Sequence, residues 1–298
     1  MKRKLVTYGE LAAQSFKPFR MFLEPWVHDE TFSLLVGPRG SGKTWIAMAI
    51  AQAIASGSSF GGWPVRNRTN VLYLEGEMPL RVISKRFRQI DDSAQEQSVG
   101  GAMSIVSCDH YSDFAIPNLS DTRNHEMFDE MFHRHEVIII DNLLNCARPI
   151  DGRDQELQIW QRTASFLKAQ RSKGKAIILL HHTGKSGAQM GTMIKENDVD
   201  TFLMVTPELE RKKRGFGAEI RFEKARYLEY PNNKPLWVEY SPAEDRDRYT
   251  WEIYPLGEKR VRRVFDLKSR GLSDREISEV LSIPFYMVKQ YLKGATND

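Results

Sequence analysis

Eight consecutive residues, Gly37-Pro38-Arg39-Gly40-Ser41-Gly42-Lys43-Thr44, have the types and spacing to do phosphate chemistry. They read G-x-x-x-x-G-K-T. Glycines in this pattern let successive backbone N–H groups turn inward and form an anion nest. Lys43 then reaches the β- and γ-phosphates of a nucleoside triphosphate, and the Thr44 hydroxyl is placed to hold Mg²⁺. The competing reading is a glycine-rich turn that matches by chance. The context weighs against it: an apolar run, Phe32 to Val36, comes before the loop, and a helix-like run, Trp45 to Ala55, follows.

Three further places offer groups suited to such a site. The apolar stretch 70–75 ends in Glu75-Gly76-Glu77-Met78-Pro79, and the carboxyl ends of core strands are where α/β sheets place ligands. Glu77 is the candidate to polarise a water, with Glu75 turned away or supporting it; two solvated turn residues are the alternative. The run Glu136 to Ile140 is apolar after its first residue and is closed by Asp141, a Walker B arrangement in which the carboxylate accepts a hydrogen bond from Mg²⁺-bound water. Another apolar run, 176–180, leads into His181-His182. His182 is read as the group that senses the γ-phosphate and His181 as the one facing inward, against the alternative of structural histidines. His125, His133 and His135 lie close together, but without a cysteine or a third well-placed ligand they read as a polar helix face rather than a metal site.

The elements that must position these groups alternate. Strands are expected at 32–36, 70–75, 103–107, 136–141, 175–180 and 200–205, with helices at 45–55, 80–90, 122–133 and 155–172 between them. This is an α/β chain with a mostly parallel central sheet. From Glu208 the pattern changes to antiparallel strands around 218–227, 236–240 and 249–254. Three short helices close the chain. Ser273 and Glu276 form a capping box, and Pro284 stands at the first turn of the last helix. That helix-turn-helix pattern presents Lys289, Gln290 and Lys293, and reads either as a DNA-recognition unit or as a packing or subunit-contact unit. The expected division is an ATPase domain over 1–255 and a small helical domain over 256–298.

The chain has 298 residues, is 41% hydrophobic and carries a net charge of +4. This is enough apolar material for a real core, and the charge permits nucleic-acid binding without requiring it. No apolar run approaches a membrane span. Two cysteines without CxxC spacing, Cys108 and Cys146, fit a reduced, cytoplasmic setting. The run Arg211-Lys212-Lys213-Arg214 reads as a solvated turn, with nucleic-acid contact as the lesser alternative.

The stretch from Phe32 to Pro79, with its Gly-Pro-Arg-Gly-Ser-Gly-Lys-Thr loop and its Leu-Glu-Gly-Glu-Met-Pro element, together with Ile140-Asp141 and Leu180-His181-His182, resembles the RecA-like AAA ATPases of the RepA plasmid-helicase type. The resemblance covers about residues 15–230. It implies a RecA-like P-loop core, ATP and Mg²⁺ as ligands, and a hexameric ring that unwinds DNA at the origins of plasmids and mobile elements. It implies that Glu77 is the catalytic glutamate, Asp141 the Walker B aspartate and His182 the γ-phosphate sensor. It also implies that Lys224 and Arg226 form a Lys-x-Arg element inserted into the neighbour's ATP site. No arginine stands near Val199, where the helicase finger lies, so the finger role falls on Arg226.

Expected partners are therefore single-stranded or forked DNA, further copies of the chain, and a replication initiator or other protein of the same element. Arg148, Lys185 and Lys195 are the candidates to grip a strand in the ring's channel. A RecA/RadA-like recombination or repair ATPase and an ATP-controlled DNA-binding regulator are the alternatives.

Overall fold

The computed structural model describes residues 5–90, 103–152, 154–183, 195–208, 215–228, 233–242 and 249–294. Lys185, the run Arg211 to Arg214 and most of the loop around Ser186 to Asn197 lie outside the described residues.

A short helix α1 (Tyr8–Ala12) and a two-stranded ribbon, β1 (Met21–Leu23) with β2 (Val27–His28), lead into the core. The core elements follow in order: β3 (Phe32–Gly37), α2 (Lys43–Ser56), β4 (Val71–Glu75), α3 (Leu80–Ile90), β5 (Met103–Ser107), α4 (His125–His133), β6 (Val137–Asp141), α5 (Leu143–Cys146), α6 (Glu156–Arg171), β7 (Ala176–His182), β8 (Thr201–Pro207), β9 (Phe216–Ala225), β10 (Leu236–Pro242) and β11 (Tyr249–Pro255). Three helices end the chain: α7 (Leu256–Ser269), α8 (Asp274–Leu281) and α9 (Phe285–Gly294).

One nine-stranded sheet runs β11-β10-β9-β8-β3-β7-β6-β4-β5. The six strands from β8 to β5 are parallel to one another, and β9, β10 and β11 are added antiparallel at one side. The parallel strands are near-continuous apolar runs because both of their faces are covered. Alternation along β3 shows the two layers. Leu35 packs in the cluster with Ile46, Ile50 and Ile54 of α2 and Ile83 of α3. Phe32, Leu34 and Val36 pack with Phe128 and Phe132 of α4 and Trp160 and Leu167 of α6. Trp26 and Leu23 join the first cluster and cover that side of the core.

The register brings the tips of four strands level. Gly37 of β3 pairs with His182 of β7, and Glu75 of β4 pairs with Asp141 of β6. The phosphate loop, both carboxylates and the histidines therefore meet at one edge of the sheet, where the strand order departs from chain order.

The expected helix over 122–133 divides into a 3-10 turn at Thr122–Asn124 and α4. The histidines there are used structurally. His125 lies 3.0 Å from the Leu119 carbonyl and stacks on Phe166, while His135 bonds the Met131 carbonyl and the Ser104 hydroxyl. Among the described residues no group of His, Cys, Asp and Glu could by itself hold a metal ion. Nor is any described helix long and apolar enough to cross a membrane.

The terminal helices share their own small core of Val264, Leu267, Ile277, Ile283 and Val288. Helix α7 continues directly from β11 and is tied to the sheet. Lys259 Nζ sits 3.2 Å from the centre of the Trp237 ring and pairs with Glu208, and the Arg262 guanidinium covers Tyr254.

Candidate active site

Gly37 closes β3, Pro38, Arg39 and Gly40 form an exposed turn, and Ser41 is buried beneath it. Gly40 and Gly42 have φ of 77° and 87°, left-handed values that a side chain would strain. A Cβ on Gly42 would also stand 2.5 Å from the Phe216 ring. Gly42 is the residue that caps α2, so the free N–H groups of that helix open into the loop. Lys43 Nζ donates to the Gly37 and Pro38 carbonyls, each at 2.8 Å, and to Ser41 Oγ at 3.3 Å.

A cleft of about 690 Å³ opens over this loop. Its lining brings together Lys43, Thr44, Glu75, Glu77, Asn142 and His182 from the tips of the four strands. Asp141 lies just beneath, where it accepts hydrogen bonds from the Thr44 hydroxyl and, at 2.8 Å, from the Tyr73 hydroxyl. Glu75 ends β4 and the chain bends over 76–78, so the two glutamates take different places. Glu75 is buried, and its Oε1 accepts from the backbone N–H groups of Glu77 and Met78 at 2.9 and 3.0 Å. Glu77 is exposed in the cleft, its Oε2 accepting from Asn142 Nδ2 at 3.0 Å. The same Asn142 nitrogen lies 3.4 Å from His182 Nε2, so Asn142 spans the gap between carboxylate and imidazole.

The electrostatics are dominated by burial of charged groups at the strand tips. Burial first, and then the Asp141 charge, push the Glu75 carboxyl up to about 8. Burial likewise pushes Asp141 up, against the hydrogen bonds from Thr44 and Tyr73. Burial lowers Lys43 to about 8, opposed by the charges of Asp141 and Glu77. His182 is lowered by burial and then by Lys43, with Glu77 opposing, which favours the neutral imidazole. Buried Glu75 Oε2 has no hydrogen-bond partner among the described residues. The hydroxyl of Thr44 and the carboxylate of Asp141 offer oxygens that suit a hard divalent cation, and Mg²⁺ characteristically takes one or two protein oxygens and completes its shell with phosphate and water. Thr44 and Asp141 are the groups that would hold it.

Several contributors carry no local signal in the chain. Trp45, Phe216 and Tyr240 form an aromatic wall on one side of the cleft, with ring centres of Trp45 and Tyr240 4.6 Å apart and those of Phe216 and Tyr240 5.7 Å apart. The Arg86 guanidinium lies 5.0 Å from the centre of the Trp45 ring. Flat aromatic faces beside a phosphate loop are suited to stacking a base. The wall is assembled by the β8–β9–β10 pairings from residues almost two hundred positions apart, which no local pattern reveals. Asn142 was legible in principle, as the polar residue following Asp141 at a strand tip. The Asp141–Asn142 peptide is cis.

Four expected residues are not brought to the cleft. Lys224 donates to the Glu196 carbonyl, and Arg226 pairs with Asp200 at 3.4 Å and reaches the Asn197 carbonyl at 3.3 Å. Ala225 is level with Thr201 and Ser33, four residues short of Gly37 and two strands across, so Arg226 stands roughly 20 Å from its own phosphate loop, at the opposite end of the strands. It therefore has no role at the site of its own chain. Arg148 and Lys195 are corrections. The Arg148 guanidinium is taken up by the Asn145 and Ile116 carbonyls, which fold its loop, and is not presented to a strand. Lys195 is buried, 2% exposed, between Glu156 and His181, out of reach of any polynucleotide.

The family described as AAA domain matches residues 1–188. No curated protein matches the chain. Among solved structures, the flagellar accessory protein FlaH from Methanocaldococcus jannaschii superposes with a TM-score of 0.52 at 14% identity, covering 76% of this chain and 91% of its own. A KaiC-like protein from Pyrococcus horikoshii superposes with a TM-score of 0.53 at 14% identity, covering 80% of this chain and 100% of its own. The fold is that of the RecA-like P-loop ATPases.

Proposed function

The chain belongs to the AAA domain family, and from that premise we propose that it is an ATP-hydrolysing motor on DNA, a hexameric replicative helicase of a plasmid or other mobile element. The observation that carries the reading is the division of the site. Lys43, Thr44, Asp141, Glu77 and His182 gather at one cleft, while Lys224 and Arg226 stand at the far edge of the same sheet. A hydrolytic site that uses both sets takes the second from a neighbouring copy, which calls for a closed ring or a filament.

In this reading Glu77 accepts the proton of the attacking water, with its carboxylate held by Asn142. Lys43 and the loop N–H groups bind the phosphates, and His182, at the tip of β7, serves as the γ-phosphate sensor. Mg²⁺, when bound, neutralises charge on the phosphates. Arg226 from the next copy stabilises charge that develops in the transition state. The exposed N-terminal arm supports assembly. Leu5, Tyr8 and Phe16 are 92%, 85% and 69% exposed, and α1 buries none of its residues despite a complete capping box. The arm joins the core at Phe19, whose ring lies 5.5 Å from that of Tyr227, next to Arg226.

The test is ATP-dependent separation of a forked duplex, with Glu77→Gln as the control. The reading predicts unwinding by the parent and none by the variant. A parent that hydrolyses ATP, separates no strands and instead promotes strand exchange would move the assignment to a recombination ATPase. One observation favours the regulator reading: Phe285, Tyr286, Lys289 and Gln290 are exposed along the last helix of the helix-turn-helix. Sequence-specific footprints that disappear when residues 256–298 are deleted would support that reading.

A further inference from the structure

Behind the cleft lies a buried polar cluster that the hydrolytic chemistry does not itself use. Lys195 Nζ donates to Glu156 Oε1 at 2.6 Å and lies 3.0 Å from His181 Nε2. An ammonium has only protons to offer, so Nε2 must present its lone pair and His181 is the neutral tautomer protonated at Nδ1. Burial, and then the Lys195 charge, hold His181 down to about 3; Glu156 opposes them, and His182 and Lys43 add to them. His181 and His182 are consecutive on β7, so they point to opposite faces of the sheet. One meets Lys195 and the other faces Asn142 and the cleft.

The turn that carries Lys195 is fixed from several sides. Trp160 Nε1 donates to Asp198 Oδ2 at 2.7 Å, and Lys168 pairs with the same carboxylate. The Glu196 and Asn197 carbonyls accept from Lys224 and Arg226. A buried ammonium whose carboxylate partner is two-thirds exposed is a poor device for stability alone, since an apolar side chain would fill the space without the desolvation cost. Its distinguishing property is that it holds one imidazole, in one tautomer, against one turn.

We infer that Lys195 is a positioning residue of the hydrolytic site: its ammonium braces His181 from behind, fixes the tip of β7, and so sets His182 in the cleft while linking that tip to the turn held by Lys224 and Arg226. The inference rests on the ATPase reading above. In the full-length chain, Lys195→Met keeps the volume and removes the charge, and Glu156→Gln, at a surface position, loosens the ammonium without opening a cavity. Affinity for a fluorescent ATP analogue, kcat for hydrolysis and the pH profile of kcat are measured for each.

With Lys195→Met, affinity is expected to stay within about twofold while kcat falls on the order of tenfold or more, as a misplaced group would cause. The acid limb of its kcat profile moves to higher pH, because His181 without the adjacent ammonium takes a proton more readily. Glu156→Gln shifts kcat the same way by less. A Lys195→Met chain that matches an active parent in kcat and in pH profile overturns the brace alone. Equal losses of affinity and turnover, with no shift of the acid limb, overturn it too. A parent that hydrolyses no ATP overturns the ATPase reading and the brace with it.

Discussion

At the scale of single residues the site is a balance of charge held against burial. Glu75 has its carboxyl pushed up to about 8, where an ordinary glutamate titrates near 4.5. A carboxyl raised in the folded state contributes stability that is present below its unfolded value and is lost as pH rises through the folded one. Glu75→Gln keeps an Oε1 acceptor for the N–H groups of Glu77 and Met78 and removes the charge. Its melting temperature should equal the parent's near pH 4.5 and exceed it by roughly 2–4 °C at pH 8 to 9, read by thermal denaturation without nucleotide. A constant offset across that range would place the effect in packing instead. Glu77→Gln should retain nucleotide affinity while hydrolysis falls about 10²- to 10⁴-fold, the range removed with a general base.

The chain's local patterns made much of this scale readable. The phosphate loop has a fixed spacing, the two glutamates end an apolar run, and period-two alternation separates His181 from His182. Lys195 was not readable, because a lysine in a polar, glycine-containing stretch gives no sign that a histidine fourteen positions away buries it. Arg148 was misjudged for the same reason: its partners are backbone carbonyls, which no sequence pattern displays.

At the scale of elements, the long apolar strands and the helices between them follow directly from hydrophobic periodicity, and their ends fall close to the expected ones. The order in which the strands pair does not follow. The placement of β7 between β3 and β6, which sets His182 level with Gly37, results from packing both faces of the sheet. The helix-turn-helix offers a clean test of local rules. Ser273 and Glu276 form the capping box at the head of α8, with Ser273 N donating to Glu276 Oε2 at 2.7 Å. At its foot Ser282 has φ 49°, a left-handed value at a position that favours glycine. Ser282→Gly should stabilise the helical unit by roughly 0.5–1 kcal/mol, and Ser273→Ala should cost it about 1 kcal/mol. Hydrogen exchange in 256–294 would report both. Unchanged exchange in either variant would mean that these termini do not limit the stability of the unit.

At the scale of the whole molecule, the proposed assembly has each copy hold one half of a site at each end of its sheet. The arm leaves the core beside Arg226, so in the proposed assembly a copy that received Arg226 would be within reach of the arm as well. Deleting residues 1–18 should abolish assembly in sedimentation runs with an ATP analogue, while binding of the analogue by the monomer persists. Assemblies that survive the deletion would assign the interface to other surfaces.

The central claim is that Lys43 and Glu77 of one copy work with Arg226 of the next. Lys43→Ala disables a copy's own cleft, and Arg226→Ala disables only the neighbour's. Each variant alone should hydrolyse almost no ATP. Mixed in equal amounts under assembling conditions, they rebuild intact sites wherever an Arg226→Ala cleft faces a Lys43→Ala copy, about a quarter of all interfaces for random head-to-tail mixing. Turnover that returns toward that level is the predicted result. A mixture no more active than its two components, or an Arg226→Ala chain that keeps the parental rate, would contradict it.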